Sequence, residues 1–336
     1  MSIFMIGTQR SGSNLLRLML NQIGDLAAPH SPHILQRMMP LLPSYGDLSE
    51  TDTFTLLVND VCRLVELNPV PWEGVNLNTK DVISLCRERS LVAILASVYE
   101  IMAQTWGAQQ WCCKSLANVY YLPEITAYLE NAKFIYLYRD GRDVAVSFKK
   151  AVVGEKHFYH IAQEWAKAQR LALEMRSRLS PERFFSISYE TLISSPETTL
   201  QDLCNFLGVH YTPEMLDFHE SQEASNAATS SSLWSNVTQP VIKQNTKKFL
   251  QEATDEEILI FELVAGDVLD ALGYERVGIL KGKEIKFSST AIAKFNAINQ
   301  SLKAEVRQTM DPEDLKRRDR QATLLKEIKA RQTVVA

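Results

Sequence analysis

Ile3–Ile6 is an apolar run that stops at Gly7, and Gly12 follows five residues later at the head of a helical pattern. Leu15, Leu16, Met19, Leu20 and Ile23 recur at the spacing of one helix face. A strand that is apolar throughout has to be covered on both faces, which asks for helices on either side of a parallel sheet. The connecting loop, Gly7 to Asn14, aims backbone N–H groups and the positive end of the helix dipole at one point. That is the outline of an anion cradle. An ordinary strand–glycine–helix turn is the plain alternative.

Loops that hold a nucleoside triphosphate with magnesium read G-x-x-x-x-G-K-S/T. Here Ser13 stands at the lysine position and Asn14 at the hydroxyl position, while the cation, Arg10, lies inside the loop. The loop therefore predicts a phosphate-bearing ligand without the hydroxyl that holds a metal. No histidine or cysteine spacing elsewhere suggests metal ligands, and no metal is expected.

The chain continues the alternation. Gln110–Cys113, Lys133–Tyr138 and Arg183–Ser188 read as short strands, and helical patterns cover Val119–Leu129, Gly141–Phe148, Ile161–Arg178, Glu197–Leu207 and Glu256–Leu272. The fold class predicted is α/β, a central parallel sheet flanked by helices. A second region follows. From Lys281 onward there are 13 Lys and Arg against 7 Asp and Glu, a balance of +6, whereas residues 1–280 carry −10. The predicted division is a main domain over residues 1–280 and a helical C-terminal extension over 281–336. Ile292, Phe295, Ile298, Leu302 and Val306 form an apolar stripe in that extension, and Pro312 suits the first turn of a further helix. The pair is read as packing on its own domain, with a homodimer through these helices as the sharper alternative.

The net charge of −4 over 336 residues argues against a nucleic-acid partner. No apolar run approaches the roughly 20 residues of a membrane span. Five cysteines, two of them adjacent, give no disulfide framework. With an N-terminus that lacks a basic leader, they suggest a reducing, cytoplasmic setting.

A second signature lies in residues 133–150, KFIYLYRDGRDVAVSFKK. Arg139 falls at the carboxyl end of a strand, where open α/β sheets bind ligands, and Ser147 lies eight residues on. An arginine fork and a hydroxyl suit a phosphate. A solvated helix entry with local ion pairs would look alike. Asp140, Arg142 and Asp143 are read as a network that orients Arg139.

The two signatures together resemble the sulfotransferases that use 3′-phosphoadenosine 5′-phosphosulfate (PAPS). Trp111-Cys112-Cys113-Lys114-Ser115 is similar to that family's strand ending in lysine, and residues 185–209 are similar to its Y-E-x-L…P…FLG segment. The resemblance spans about residues 3–275. It implies a P-loop sulfotransferase architecture, PAPS as co-substrate, adenosine 3′,5′-bisphosphate as product, and no metal. Arg10 then matches the cation on the 5′-phosphosulfate, with Ser11, Gly12, Ser13 and Asn14 cradling the same oxygens. Arg139 and Ser147 match the 3′-phosphate ligands, Tyr189 the tyrosine near adenine, and Lys114 the lysine near the transferring group. Lys247 and Lys248 are candidates for a closing basic loop. Tyr189 reads equally well as a core aromatic, Lys114 as a strand-end surface lysine, and the 247–248 pair as a solvated cluster.

The acceptor hydroxyl needs a base. Leu116 stands where one branch of the family has histidine, and Ser31 where another has glutamate. His30 and His33 flank Ser31, and His33 is preferred because it opens the next helix. His157 and His160 are read as acceptor-pocket or helix-capping residues. Trp72, Phe158 and Tyr159 suggest an apolar pocket, hence a hydroxylated small molecule or lipid as acceptor. Two rival functions remain: a P-loop small-molecule kinase, which Ser13 and Asn14 disfavour, and a non-catalytic nucleotide-binding partner protein.

Overall fold

The computed structural model describes residues 1–230, 232–278 and 287–335, so the predicted boundary at 280 and 281 lies outside the described residues. Five strands form one sheet: β1 (Ser2–Gly7), β2 (Leu26–Ala27), β3 (Gln110–Cys113), β4 (Lys133–Tyr138) and β5 (Phe184–Ser188). Their order is β2-β3-β1-β4-β5 and all neighbours run parallel. This is the α/β architecture read from the sequence. The two-residue β2 was not foreseen, because Leu26–Ala27 is too short to show a period.

The apolar run of β1 has the expected cause. Phe4 and Ile6 point into one core with Trp111, Phe134 and Tyr136, while Ile3 and Met5 point into another with Cys112, Ile135 and Leu137. Alternate residues leave a strand on opposite faces, so a strand buried on both has no polar side. Phe4 stacks on Phe134 at 5.8 Å and meets Trp111 edge-on at 5.5 Å. Gly7, at the end of β1, has φ +137°, and a Cβ there would lie 2.2 Å from the Leu137 carbonyl oxygen of β4. That oxygen belongs to a paired strand and cannot yield. Gly7→Ala is therefore expected to cost about 3 kcal/mol or more in denaturant unfolding. An unfolding midpoint equal to the wild type's would show that β4 gives way instead.

Two C-terminal helices, Ser289–Gln308 and Pro312–Val335, lie on the main body. Phe295 packs on His157 and Tyr159, while Leu324 and Ile328 join the core beneath the helix Thr51–Glu66. Burying Leu324 and Ile328 contributes about 2 kcal/mol each, more than an exposed ion pair such as Arg63–Glu327 supplies. Apolar contact thus decides where the last helix lies. Part of the sequence's apolar stripe, Ile298, stays exposed. Among the described residues no helix is long and apolar enough to cross a membrane.

Candidate active site

Because all five strands are parallel, their carboxyl ends share one edge, and each delivers a predicted residue there. Arg10 follows β1, His30 and His33 follow β2, Lys114 follows β3, Arg139 follows β4, and Tyr189 follows β5. They border one cleft of about 810 Å³.

The loop after β1 is shaped from below. Tyr136 donates to Gln169, which donates to Thr8 Oγ1 at 3.2 Å, and Thr8 meets Ser11 Oγ at 3.2 Å. Ser11 is fully buried by these contacts, so its hydroxyl is turned into the protein rather than toward the cleft. Gly12 caps the helix Ser13–Leu20 at φ +89°, without a side-chain cap. The first N–H groups of such a helix have no partner within it. The Tyr189 ring lies where a Gly12 Cβ would be, 2.4 Å away, so that only glycine lets the ring close over the loop. Arg10 sits at φ +70°, a conformation uncommon outside glycine.

Arg10 Nε donates to Ser147 Oγ at 2.9 Å. Arg139 donates to the Arg10 carbonyl at 3.2 Å and to the Asn245 carbonyl at 2.8 Å, and faces Asp143 at 3.4 Å. The Tyr189 ring covers its guanidinium at 4.4 Å, and Asn245 Nδ2 donates to the Tyr189 hydroxyl at 2.6 Å. Arg139 Nε is buried without a partner among the described residues. Asp143 also accepts from the backbone N–H groups of Lys247 and Phe249, which ties the 245–249 loop to Arg139. The predicted orienting network is thus narrower than expected. Asp140 caps the helix Gly141–Lys150 and, with Glu262, takes up Arg142.

After β3, Lys114 Nζ donates to Asn14 Oδ1 at 2.8 Å. Lys114 is buried, not a surface lysine, and burial, then the charge of Arg17, pulls its ammonium down to about 7. His33 takes φ +59° to cap the helix Ile34–Met38, and its Nδ1 lies 3.0 Å from Ser115 Oγ. His30 is wedged against Trp234 with ring centres 4.6 Å apart, and its carbonyl accepts from Asn68 and Trp72. Burial, followed by the charge of Lys114, holds both imidazoles well below 6.5. Both border the cleft, but His30 is 5% exposed and His33 is half-buried, which leaves His33 the more accessible.

Several readings change. Trp72, Phe158 and Tyr159 are core residues and do not border the cleft; Trp72 packs on Tyr99 and Phe158 on Phe261. Of the two readings of His157, helix capping is the one seen: it caps the helix Phe158–Arg178, and its ring stacks on Phe295. Lys248 borders the cleft, whereas Lys247 acts through its backbone on Asp143. Asn245, Trp234, Arg37 and Arg318 were missed. Trp234 lies in a stretch without a clear period, Asn245 and Arg318 lie in polar or charged runs that look solvated, and Arg37 is a single cation in the apolar run ILQRMMPLL. Arg17, fully buried, was missed too; it donates to the Ala28 carbonyl and pairs with Glu223 at 2.6 Å.

Comparison with known proteins agrees with this fold. A solved sulfotransferase domain from the curacin biosynthetic pathway matches with a TM-score of 0.57 at 23% identity, over 82% of this chain and 98% of that one. The sulfotransferase domain of the Synechococcus PCC 7002 olefin synthase gives 0.53 at 19% identity, over 77% and 92%. In sequence, a protein-tyrosine sulfotransferase of Drosophila melanogaster is 24% identical over 281 residues, 81% of this chain and 51% of that protein. The chain spans about half the length of the first curated relatives it matches. The sequence pattern described as the sulfotransferase family covers residues 2–213. With more than half of its length inside that match, the chain belongs to the sulfotransferase family.

Proposed function

We propose that the protein transfers a sulfuryl group from PAPS to an acceptor hydroxyl. One observation carries this reading: Arg10 and Arg139 are joined through the Arg10 carbonyl at the mouth of a glycine loop, with Ser147 accepting from Arg10. Among the described residues Asp143 and Glu252 are the carboxylates bordering the cleft; Asp143 is occupied by Arg139 and two N–H groups, and Glu252 by Lys150. Arg10, Lys114 and the unpaired Nε of Arg139 are thus left for an anion. Such a set suits a ligand with phosphate at two places, and fits PAPS.

When bound, PAPS supplies a sulfuryl group whose bond to the 5′-phosphate oxygen breaks as the acceptor oxygen bonds to sulfur. Arg10 and the Ser13 and Asn14 amides hold the 5′ end, with Gly12 leaving room for the Tyr189 ring. Arg139 and Ser147 hold the 3′-phosphate, and Tyr189 offers a face to the adenine. Lys114 stabilises charge on the departing oxygen. His33, oriented by Ser115, accepts the acceptor's proton, with His30 behind it. A kinase reading is disfavoured, since Asn14 is engaged by Lys114 and no hydroxyl follows it.

The acceptor expected from Trp72, Phe158 and Tyr159 loses its ground, because those rings are buried elsewhere. The relatives' names concern protein tyrosine, which supports a tyrosyl or other phenolic hydroxyl. Labelled PAPS presented with tyrosyl peptides, phenols, sterols, fatty alcohols and sugars tests this. Transfer to the alcohols alone would refute the phenolic choice. Bisphosphate binding with no transfer to any of them would favour a non-catalytic partner. Stabilisation by ATP–magnesium and not by adenosine 3′,5′-bisphosphate would refute the donor.

Lys114 gives a further expected result. At pH 8 its ammonium, held at about 7, is mostly deprotonated. An anion beside it favours the charged form, so bisphosphate binding at pH 8 draws a proton into the protein. Calorimetry in two buffers of different ionisation enthalpy reads this uptake, and Lys114→Met should remove it. Proton release at pH 8 would contradict the placement of Lys114 beside the anion.

A further inference from the structure

The C-terminal helices lie beyond the family match and have no part in the reaction as described so far. They nonetheless reach the cleft at two places. On one side Asn299 Oδ1 accepts from the backbone N–H groups of Lys156 and His157 at 2.8 and 3.0 Å, fixing the segment that carries Val153 to the cleft wall. On the other side Gln321, 1% exposed, accepts from Arg37 Nη1 at 2.6 Å and donates to the Leu64 carbonyl at 2.7 Å. Arg37 lies one turn beyond His33, and its N–H donates to the His33 carbonyl at 3.0 Å. The link therefore runs from Gln321 through Arg37 to a histidine that holds a left-handed backbone without being glycine. Arg318 and Leu325, on the same face as Gln321, border the cleft together with His33.

A helix wanted for packing alone would bury apolar side chains and leave polar ones in water. This one buries Gln321 and Asp314 as well, which is unfavourable unless they are bonded and placed. The charges that bear on His33 come from Lys114 after β3, Arg37 on its own helix and Arg318 on the last helix, all positive; Ser115 meets its Nδ1, and Asp314 accepts from Arg318 at 2.9 Å. His30 is its titratable neighbour.

We propose that the helix Pro312–Val335 is a working part of the active site, in which Gln321 locks the helix that His33 caps and Arg318 sets the electrostatic surroundings in which His33 exchanges its proton. Arg318 and Gln321 are positioning residues in this sense. The proposal rests on His33 being the base of the sulfuryl-transfer reading.

The test is a histidine NMR titration of the full chain, with His33 assigned through His33→Gln. Arg318→Gln is expected to move the His33 midpoint to higher pH, because one cation is removed, and Arg318→Lys to leave it with the wild type. Should Arg318→Gln not fold, Arg318→Met, with a similar apolar stem, carries the same comparison. Identical midpoints in the neutral variant and the wild type would overturn the proposal, as would a shift in Arg318→Lys as large as that in the neutral variant. Calorimetry with adenosine 3′,5′-bisphosphate on the same proteins keeps the two ideas apart. Absent binding in the wild type speaks against the donor site, whereas normal binding with an unmoved His33 speaks against the helix.

Discussion

His33→Ala is expected to lower turnover by about 10²–10⁴-fold while leaving the affinity for adenosine 3′,5′-bisphosphate unchanged. The split follows from position. His33 stands after β2 and touches Ser115 rather than the phosphate loop or the Arg10–Ser147–Arg139 group. Removing its ring takes away a proton acceptor and none of the donors that grip the nucleotide. The pH profile carries a second sign. A base must be neutral, and burial together with Lys114 holds the imidazole below 6.5. The acid limb of kcat/KM should therefore fall below that value, with the base still neutral at pH 7. If His33→Ala keeps full turnover and His30→Ala loses it, the roles of the two histidines are exchanged.

Arg139→Ala is expected to weaken bisphosphate binding by about 100-fold or more, equivalent to about 3 kcal/mol. Two effects add. The guanidinium that faces the ligand disappears, and the groups it serves inside the protein are left behind: the Arg10 and Asn245 carbonyls and the buried Asp143 carboxylate. Asp143 holds Lys247 and Phe249, so the 245–249 loop loosens as well. Arg139→Lys should not rescue, because a single ammonium cannot reach both carbonyls and lie flat under Tyr189 as the guanidinium does. Calorimetry measures the loss, and near-normal affinity in Arg139→Ala would remove Arg139 from the donor site.

Much of this site was legible in the residues, for a physical reason. Binding at the carboxyl edge of a parallel sheet places ligand residues directly after strands, and strands such as Ile3–Ile6 and Lys133–Tyr138 announce themselves by unbroken apolar runs. Arg10, Lys114 and Arg139 could be found that way. The walls could not. Asn245 reaches Arg139 from 106 positions away along a polar stretch, and Gln321 reaches Arg37 across 284. Neither has a periodic signal, because each contributes hydrogen bonds and not a face. Trp72 and Tyr159 misled in the opposite direction, since an aromatic residue in a loop or at the start of a helix looks the same whether it borders a cavity or fills a core.

The strand order has a consequence for how the chain reaches its working form as it leaves the ribosome. β1 precedes its partners in the chain and is the central strand, flanked by β3 and β4, so one of its hydrogen-bonding edges stays bare until residue 113 has emerged and the other until residue 138. Nascent chains shorter than this present an unpaired apolar ribbon to solvent or to chaperones. The group around Arg139 is completed later still, when the Asn245 carbonyl arrives to accept from its guanidinium.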